Sequence, residues 1–181
     1  MPFPKEQSYT VEDIYNLPDG QRAELIDGVM YDMAPPSYIH QKISAKLTSI
    51  IDHYISDQHG SCEVLPAPFA VFLSKDDKTY VEPDISVICD KNKLSDRGCE
   101  GAPDWIIEIV SPSSQTMDYL IKLWKYRAAG VREYWIVNPA NKITQAYFFE
   151  GAADFAQYSF SDTMKVGIYD GLEICIADLL K

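Results

Sequence analysis

The sequence predicts an α/β fold: a mixed central β-sheet flanked by helices on both faces, with antiparallel hairpin additions. Three observations carry this prediction. Two nearly all-apolar runs, residues 105–110 and 133–137, bracket a helical segment at about 116–129. A strand–helix–strand unit of that length implies a parallel crossover, right-handed by the usual rule. Asp27-Gly28 separates two strand-like stretches, 23–26 and 29–33, and is a strong hairpin signal. Finally, Ile39, Ile43, Leu47, Ile50, Ile51, Tyr54 and Ile55 recur at spacings of three and four, which predicts a long amphipathic helix over 37–58.

The remaining elements follow in chain order. Thr10 with Asp13 three residues on makes a near capping box, so a short helix runs to about 17, where Pro18-Asp19-Gly20 supplies turn chemistry. Gly60 is the expected stop of the long helix. Stretches 63–65, 69–73 and 85–88 read as strands, with Lys75-Asp76-Asp77-Lys78 as a polar turn. Residues 90–103, rich in Lys, Asp and Gly, read as a mobile loop and the place where specificity would reside. The run 105–110 suits the centre of a covered sheet. Ser111-Pro112-Ser113-Ser114 ends it and caps the next helix, which Gly130 closes. Asn138-Pro139 halts the 133–137 strand. Segments 142–149 and 155–160 read as antiparallel edge strands, and Leu179-Leu180 closes the chain. With no repeat, low-complexity stretch or linker, the expectation is one domain over residues 1–181.

Composition narrows the function. At 181 residues and 46% hydrophobic content the chain can bury a sizeable core. The opening residues are polar and proline-broken, unlike a signal peptide, and no apolar run approaches the roughly 20 residues of a membrane span. Cys62, Cys89, Cys99 and Cys175 are scattered without a C-x-x-C pair. They read as reduced thiols of a cytoplasmic protein, not as a zinc site or a disulfide framework. The 27 acids against 16 bases give a net charge of −11, which argues against tight unaided binding to nucleic acid. Phosphate loops, G-x-S-x-G and H-E-x-x-H are all missing from the sequence, so ATPase, serine-hydrolase and zincin readings lack support.

Two carboxylates stand out. Asp84 abuts the apolar run Ile85-Ser86-Val87-Ile88, and Glu108 lies inside Trp105-Ile106-Ile107-Glu108-Ile109-Val110. A buried acid is costly unless a cation, a metal or a donor network compensates it, so the pair suggests a shared divalent-metal site.

The ordered set Glu24-Leu25-Ile26-Asp27-Gly28, His40, Pro83-Asp84, Glu108-Ile109-Val110-Ser111-Pro112-Ser113, Asp118-x-x-x-Lys122-x-x-x-Tyr126 and Gly130 through Val137 resembles the PD-(D/E)XK nuclease superfamily. It is most similar to a bacterial branch named as restriction endonucleases, of largely unassigned biology. The resemblance implies a restriction-endonuclease-like fold and hydrolysis of phosphodiester bonds in DNA. It implies that Asp84 and Glu108 hold Mg²⁺ or Mn²⁺ with the Ile109 carbonyl as a further ligand, and that Glu24 completes or orients the site. The family motif places a lysine two residues after the glutamate, and here that residue is Val110. Lys122 on the following helix is the matching candidate, since positions 118, 122 and 126 share a helix face; Lys125 is the second choice.

Plainer readings compete. Asp118 and Lys122 at i,i+4 could be a surface ion pair, Asp84 a strand-start acid satisfied by backbone N–H groups, and His40 a cap or packing residue. Competing functions are a catalytically silent module of the same fold and a metal-dependent hydrolase of small phosphorylated molecules. DNA is the expected partner. A homodimer is a further expectation, with Trp135 and Tyr147-Phe148-Phe149 supplying an apolar patch.

Overall fold

The alternation of side chains along two parallel strands, Trp105–Ile109 (β8) and Glu133–Asn138 (β9), sets the architecture. The structure is a computed structural model and describes residues 8–112, 114–150 and 154–181. Preceding these strands are a short helix Val11–Tyr15 (α1), a hairpin Ala23–Ile26 (β1) and Val29–Asp32 (β2), and the long helix Tyr38–Asp57 (α2). Strands Glu63–Pro66 (β3), Val71–Phe72 (β4), Ile85–Ile88 (β5), Leu94–Ser95 (β6) and Gly98–Glu100 (β7) come next. Between β8 and β9 runs a π-helical segment, Met117–Lys122, continued by Leu123–Ala129 (α3). Ile143–Phe148 (β10), Phe155–Ser159 (β11), Met164–Lys165 (β12), Glu173–Ile174 (β13) and Ile176–Leu179 (α4) complete the chain.

Six strands form the central sheet in the order β11–β10–β9–β8–β5–β3, antiparallel except for the parallel β8–β9 pair. Both faces are covered, which explains why the central strands read as continuous apolar runs. On one face Ile43, Leu47, Ile51 and Ile55 of α2 pack against Ile85, Val87, Trp105, Ile107, Trp135 and Val137. The opposite face presents Ile106, Val110, Tyr134 and Ile136 to Tyr126 and Leu123 of α3. Among the described residues no helix is long and apolar enough to cross a membrane.

Local signals largely produce the elements they predict. Asp13 accepts a hydrogen bond from the Thr10 backbone N–H at 2.7 Å, so the capping box forms. Asp27 and Gly28 both take positive φ, 51° and 77°, as a tight two-residue hairpin requires. Ser37 caps α2 by accepting from the His40 N–H. Gly130 closes α3 in the left-handed conformation. Ser113, part of the expected cap before that helix, lies outside the described residues.

Four expectations are corrected. The left-handed residue ending α2 is His59, φ 52°, while Gly60 supplies the N–H that bonds to the Ile55 carbonyl at 2.8 Å. Segment 90–103 is not a mobile loop. It folds into a 3₁₀ turn at Lys91–Lys93 and then β6 and β7, which join β4 in a three-stranded sheet. Gly98 permits that pairing, because a Cβ there would lie 2.3 Å from the Ala70 carbonyl oxygen. Trp135 supplies no surface patch: it is fully buried and meets Trp105 edge-on at 4.9 Å, while Tyr147, Phe148 and Phe149 are only half-buried.

The fourth correction concerns the cysteines. Cys62 and Cys89 form a disulfide, and only Cys99 and Cys175 are free. The pairing follows from register: Glu63 lies opposite Ile88, so the next residue outward on each strand is a cysteine facing a cysteine. A sequence separation of 27 gives no hint of this. A second buried acid, Glu133, is satisfied structurally by the Trp135 indole N–H at 2.7 Å and the Ile168 N–H at 2.9 Å.

Loop closure at a separation of 27 implies that breaking the bond costs about 3.5 kcal/mol. Urea unfolding with and without reductant, beside a Cys62→Ala/Cys89→Ala variant, measures it. Identical midpoints in all three samples would show that the bond does not form in the protein.

Candidate active site

The β5–β8 register builds the centre of the site. Ile85 faces Ile107, so one step further Asp84 faces Glu108, and both side chains point to the α3 side of the sheet. Each carboxylate binds the other strand. Ile109 N–H donates to Asp84 Oδ2 at 2.7 Å, and Asp84 N–H donates to Glu108 Oε2 at 3.3 Å. Donors satisfy an acid next to a buried strand at each of these points, as burial demands.

Three further elements converge here. The π-helical segment and α3 bring Lys122, whose ammonium lies 2.9 Å from Glu108 Oε1 and 2.8 Å from Glu24 Oε2. Asp118 Oδ1 is 3.7 Å away. Tyr126, one turn on, donates its hydroxyl to Glu108 Oε1 at 2.7 Å. Glu24 on β1 also accepts the Glu82 N–H at 3.0 Å. From the first turn of α2, His40 Nε2 contacts Asp84 Oδ2 at 3.1 Å. Thus Glu24, Asp84, Glu108, Lys122, Asp118 and His40 are brought together, with Ile109 beside them. Lys125 is not among them and pairs with Asp27 near the surface. Val110, at the family's lysine position, is buried among the apolar residues of the α3 face.

Two contributors carry no role in the sequence reading. Tyr126 was visible only as the third member of a helical spacing. Glu82 stands between Tyr80, whose hydroxyl it accepts at 2.5 Å, and Arg22, whose Nε donates to it at 3.0 Å. That network stiffens the backbone that reaches Glu24, and no local signal links Arg22 to a residue sixty positions away.

Three carboxylates, Glu24, Glu108 and Asp118, therefore surround one ammonium, and Asp84 stands beside Glu108. Burial pushes the Glu108 carboxyl well above its ordinary range; Lys122 opposes this, and Asp84, Asp118 and Glu24 reinforce it. Burial acts against a charged Lys122 as well, but Glu108, Glu24 and Asp118 outweigh it and hold the ammonium firmly protonated. Burial likewise pushes Asp118 up to about 6, against the pull of Lys122. His40 is partly desolvated, which lowers its pKa, yet the bond to Asp84 and its charge lift it above the ordinary histidine value.

The donor set fits a hard divalent cation: carboxylate oxygens in excess over the one cation that faces them. Among the described residues, however, no three His, Cys, Asp or Glu side chains gather closely enough to cage a metal ion. Lys122 lies between Glu24 and Glu108, where such a gathering would form.

A family model described as "Uma2: Putative restriction endonuclease" matches residues 11–168. "Uncharacterized protein slr1290" of Synechocystis sp. (strain ATCC 27184 / PCC 6803 / Kazusa) is 28% identical over 119 residues, 65% of this chain and 60% of that protein. The match therefore spans about three fifths of that relative's length. The crystal structure of "a putative nuclease belonging to DUF820" from Anabaena variabilis ATCC 29413 matches with a TM-score of 0.77 at 20% identity. It covers 94% of this chain and 96% of that chain. At this identity the likeness shows the fold, which is restriction-endonuclease-like.

Two measurements check this electrostatic account. Lys122→Met strands two buried carboxylates and lowers stability by about 3–5 kcal/mol in urea unfolding, whereas Lys125→Ala changes it by less than about 1 kcal/mol. Asp118 has a folded pKa raised from 3.8 to about 6, so its contribution is fully present below pH 3.8 and lost as pH rises through 6. Asp118→Asn should therefore gain on the wild type by about 3 kcal/mol between those pH values. A stability difference that is flat across this window would reject the raised pKa.

Proposed function

The chain belongs to the Uma2 family, whose model matches residues 11–168, and on that premise we propose that it is a Mg²⁺- or Mn²⁺-dependent endonuclease hydrolysing phosphodiester bonds of DNA. The observation that carries this reading is the cross-strand pair Asp84 and Glu108, each bonded to backbone of the other's strand, with Glu108 and Glu24 gathered at buried Lys122. All of these residues line one cleft.

Asp84 and Glu108 would hold the cation, with the Ile109 carbonyl as a third oxygen. When bound, a divalent ion neutralises phosphate charge and lowers the pKa of a coordinated water. The chain's own residues do the rest. Tyr126 fixes Glu108 through Oε1, and its hydroxyl remains a donor because burial keeps it protonated. His40 and the Ile109 N–H fix Asp84 through Oδ2. Glu24 holds the Lys122 ammonium beside Glu108, where it can orient an attacking water and offset charge developing on the phosphate. Lys122 thereby serves for the lysine that Val110 replaces.

A second reading, a catalytically silent module of the same fold, draws on the same lysine: both its near carboxylates already share a countercharge without a metal.

Cleavage of plasmid and of single-stranded DNA in Mn²⁺ tests the proposal. Asp84→Asn should lose at least about 100-fold in rate, as should Lys122→Met at a temperature where circular dichroism shows it folded. An inert wild type that also shows no thermal shift with either metal would favour the silent module.

A further inference from the structure

The cleft encloses about 750 Å³, within the roughly 300–1,000 Å³ of sites that engulf a small ligand. Its floor is the carboxylate cluster, and that floor is recessed. Side-chain exposure is 7% for Glu24, 5% for Glu108, 3% for Asp118 and 17% for Asp84. The walls are apolar. Met33 and Pro35 from the β2–α2 connection and Ile39 from α2 contribute, as do Val110, Met117 and Pro139 at the ends of β8 and β9 and the start of the helix. At the mouth, Ile39 is 37% exposed and its neighbour Tyr38 79% exposed. Lys122 is the sole Lys or Arg among the described residues of the lining, and its ammonium is engaged by Glu24 and Glu108.

Duplex DNA presents its phosphates on the outside of a stiff cylinder, and proteins grip it through several Lys and Arg contacts to that backbone. A stiff cylinder brings a phosphate onto a recessed acidic floor between apolar walls only by deforming, and no free Lys or Arg among the described lining residues compensates that deformation. A single strand does so without that cost: its backbone bends, and its unstacked bases offer apolar faces to the walls. Resting on the nuclease reading of this site, we infer that the substrate engaged here is single-stranded DNA, entering the cleft as unstacked nucleotides held by the apolar walls. The acidic surface of the protein agrees with this, since wall contacts bind bases without requiring a field of positive charge.

The test uses a fluorescein-labelled single strand of DNA, an RNA strand of the same sequence and the blunt DNA duplex. Cleavage is followed in Mn²⁺, and binding by anisotropy in Ca²⁺. The single strand should be cut at least about 10-fold faster than the duplex. Its binding should vary with salt with a slope near −1 or shallower, far from the value of a protein gripping 6–10 phosphates. Ile39→Ala and Met117→Ala should raise KM for the single strand several-fold and leave kcat nearly unchanged. Duplex cut as fast as single strand overturns the inference and leaves the nuclease reading intact; RNA cut in preference to DNA overturns the inference and the choice of DNA, and leaves phosphodiester hydrolysis standing. An inert protein that still binds single-stranded over duplex DNA overturns the catalytic reading and leaves the inference standing. Neither cleavage nor preferential binding overturns both.

Discussion

A single buried ammonium holds the functional half of this molecule together. Lys122 reaches from the helical crossover to carboxylates on two separate sheets, Glu24 on β1 and Glu108 on β8. Without it, two ionised groups would lie in a region of low polarity with hydrogen bonds but no countercharge. With it, the hairpin, the central sheet and the helix share one electrostatic tie. The same tie leaves the cluster short of positive charge, since Asp84 and Asp118 also face it.

Strand parity decides which buried acid takes part in this. Glu108 shares its face with Ile106 and Val110 and meets the helix, whereas Glu133 shares its face with Trp135 and Val137. Both are almost completely buried and both are pushed up by burial. They differ in partners. Glu133 has neutral N–H donors that bind a C-terminal turn to the sheet, while Glu108 has an ammonium and three acidic neighbours. Burial does not distinguish the two acids; the charges around them do.

Much of this was legible in the sequence. Asp27-Gly28, the Ser37-to-Gln58 periodicity and the paired apolar runs predict their elements because each depends on local chemistry or on a regular spacing. Asp84 and Glu108 stood out because acids beside apolar strands need an explanation, and the 118–122–126 spacing brought Lys122 forward. What escaped depends on contacts between distant segments. Arg22 meets Glu82, and Cys62 meets Cys89, only because sheets place them together. Segment 90–103 looked mobile from its Lys, Asp and Gly content, yet β4 offers it an edge to pair with. Trp135 looked available for association because an apolar run does not say how many sides are covered.

The wide winding of Met117–Lys122 has a bearing on how this site can change over time. A π turn holds one residue more than an α turn, and here it carries two of the residues that enter the cluster, Asp118 and Lys122. Loss of one residue between 116 and 121 would restore regular α winding, an apparent improvement in helix quality. It would also turn everything upstream by about 100° relative to Lys122, and the Tyr134 hydroxyl, now bonded to the Asp118 carbonyl at 3.1 Å, would lose its acceptor. Descendants of this sequence are thus free to exchange the exposed side chains of the crossover but not to alter its length, so an alignment gap in this segment would mark a lineage that has abandoned the cluster.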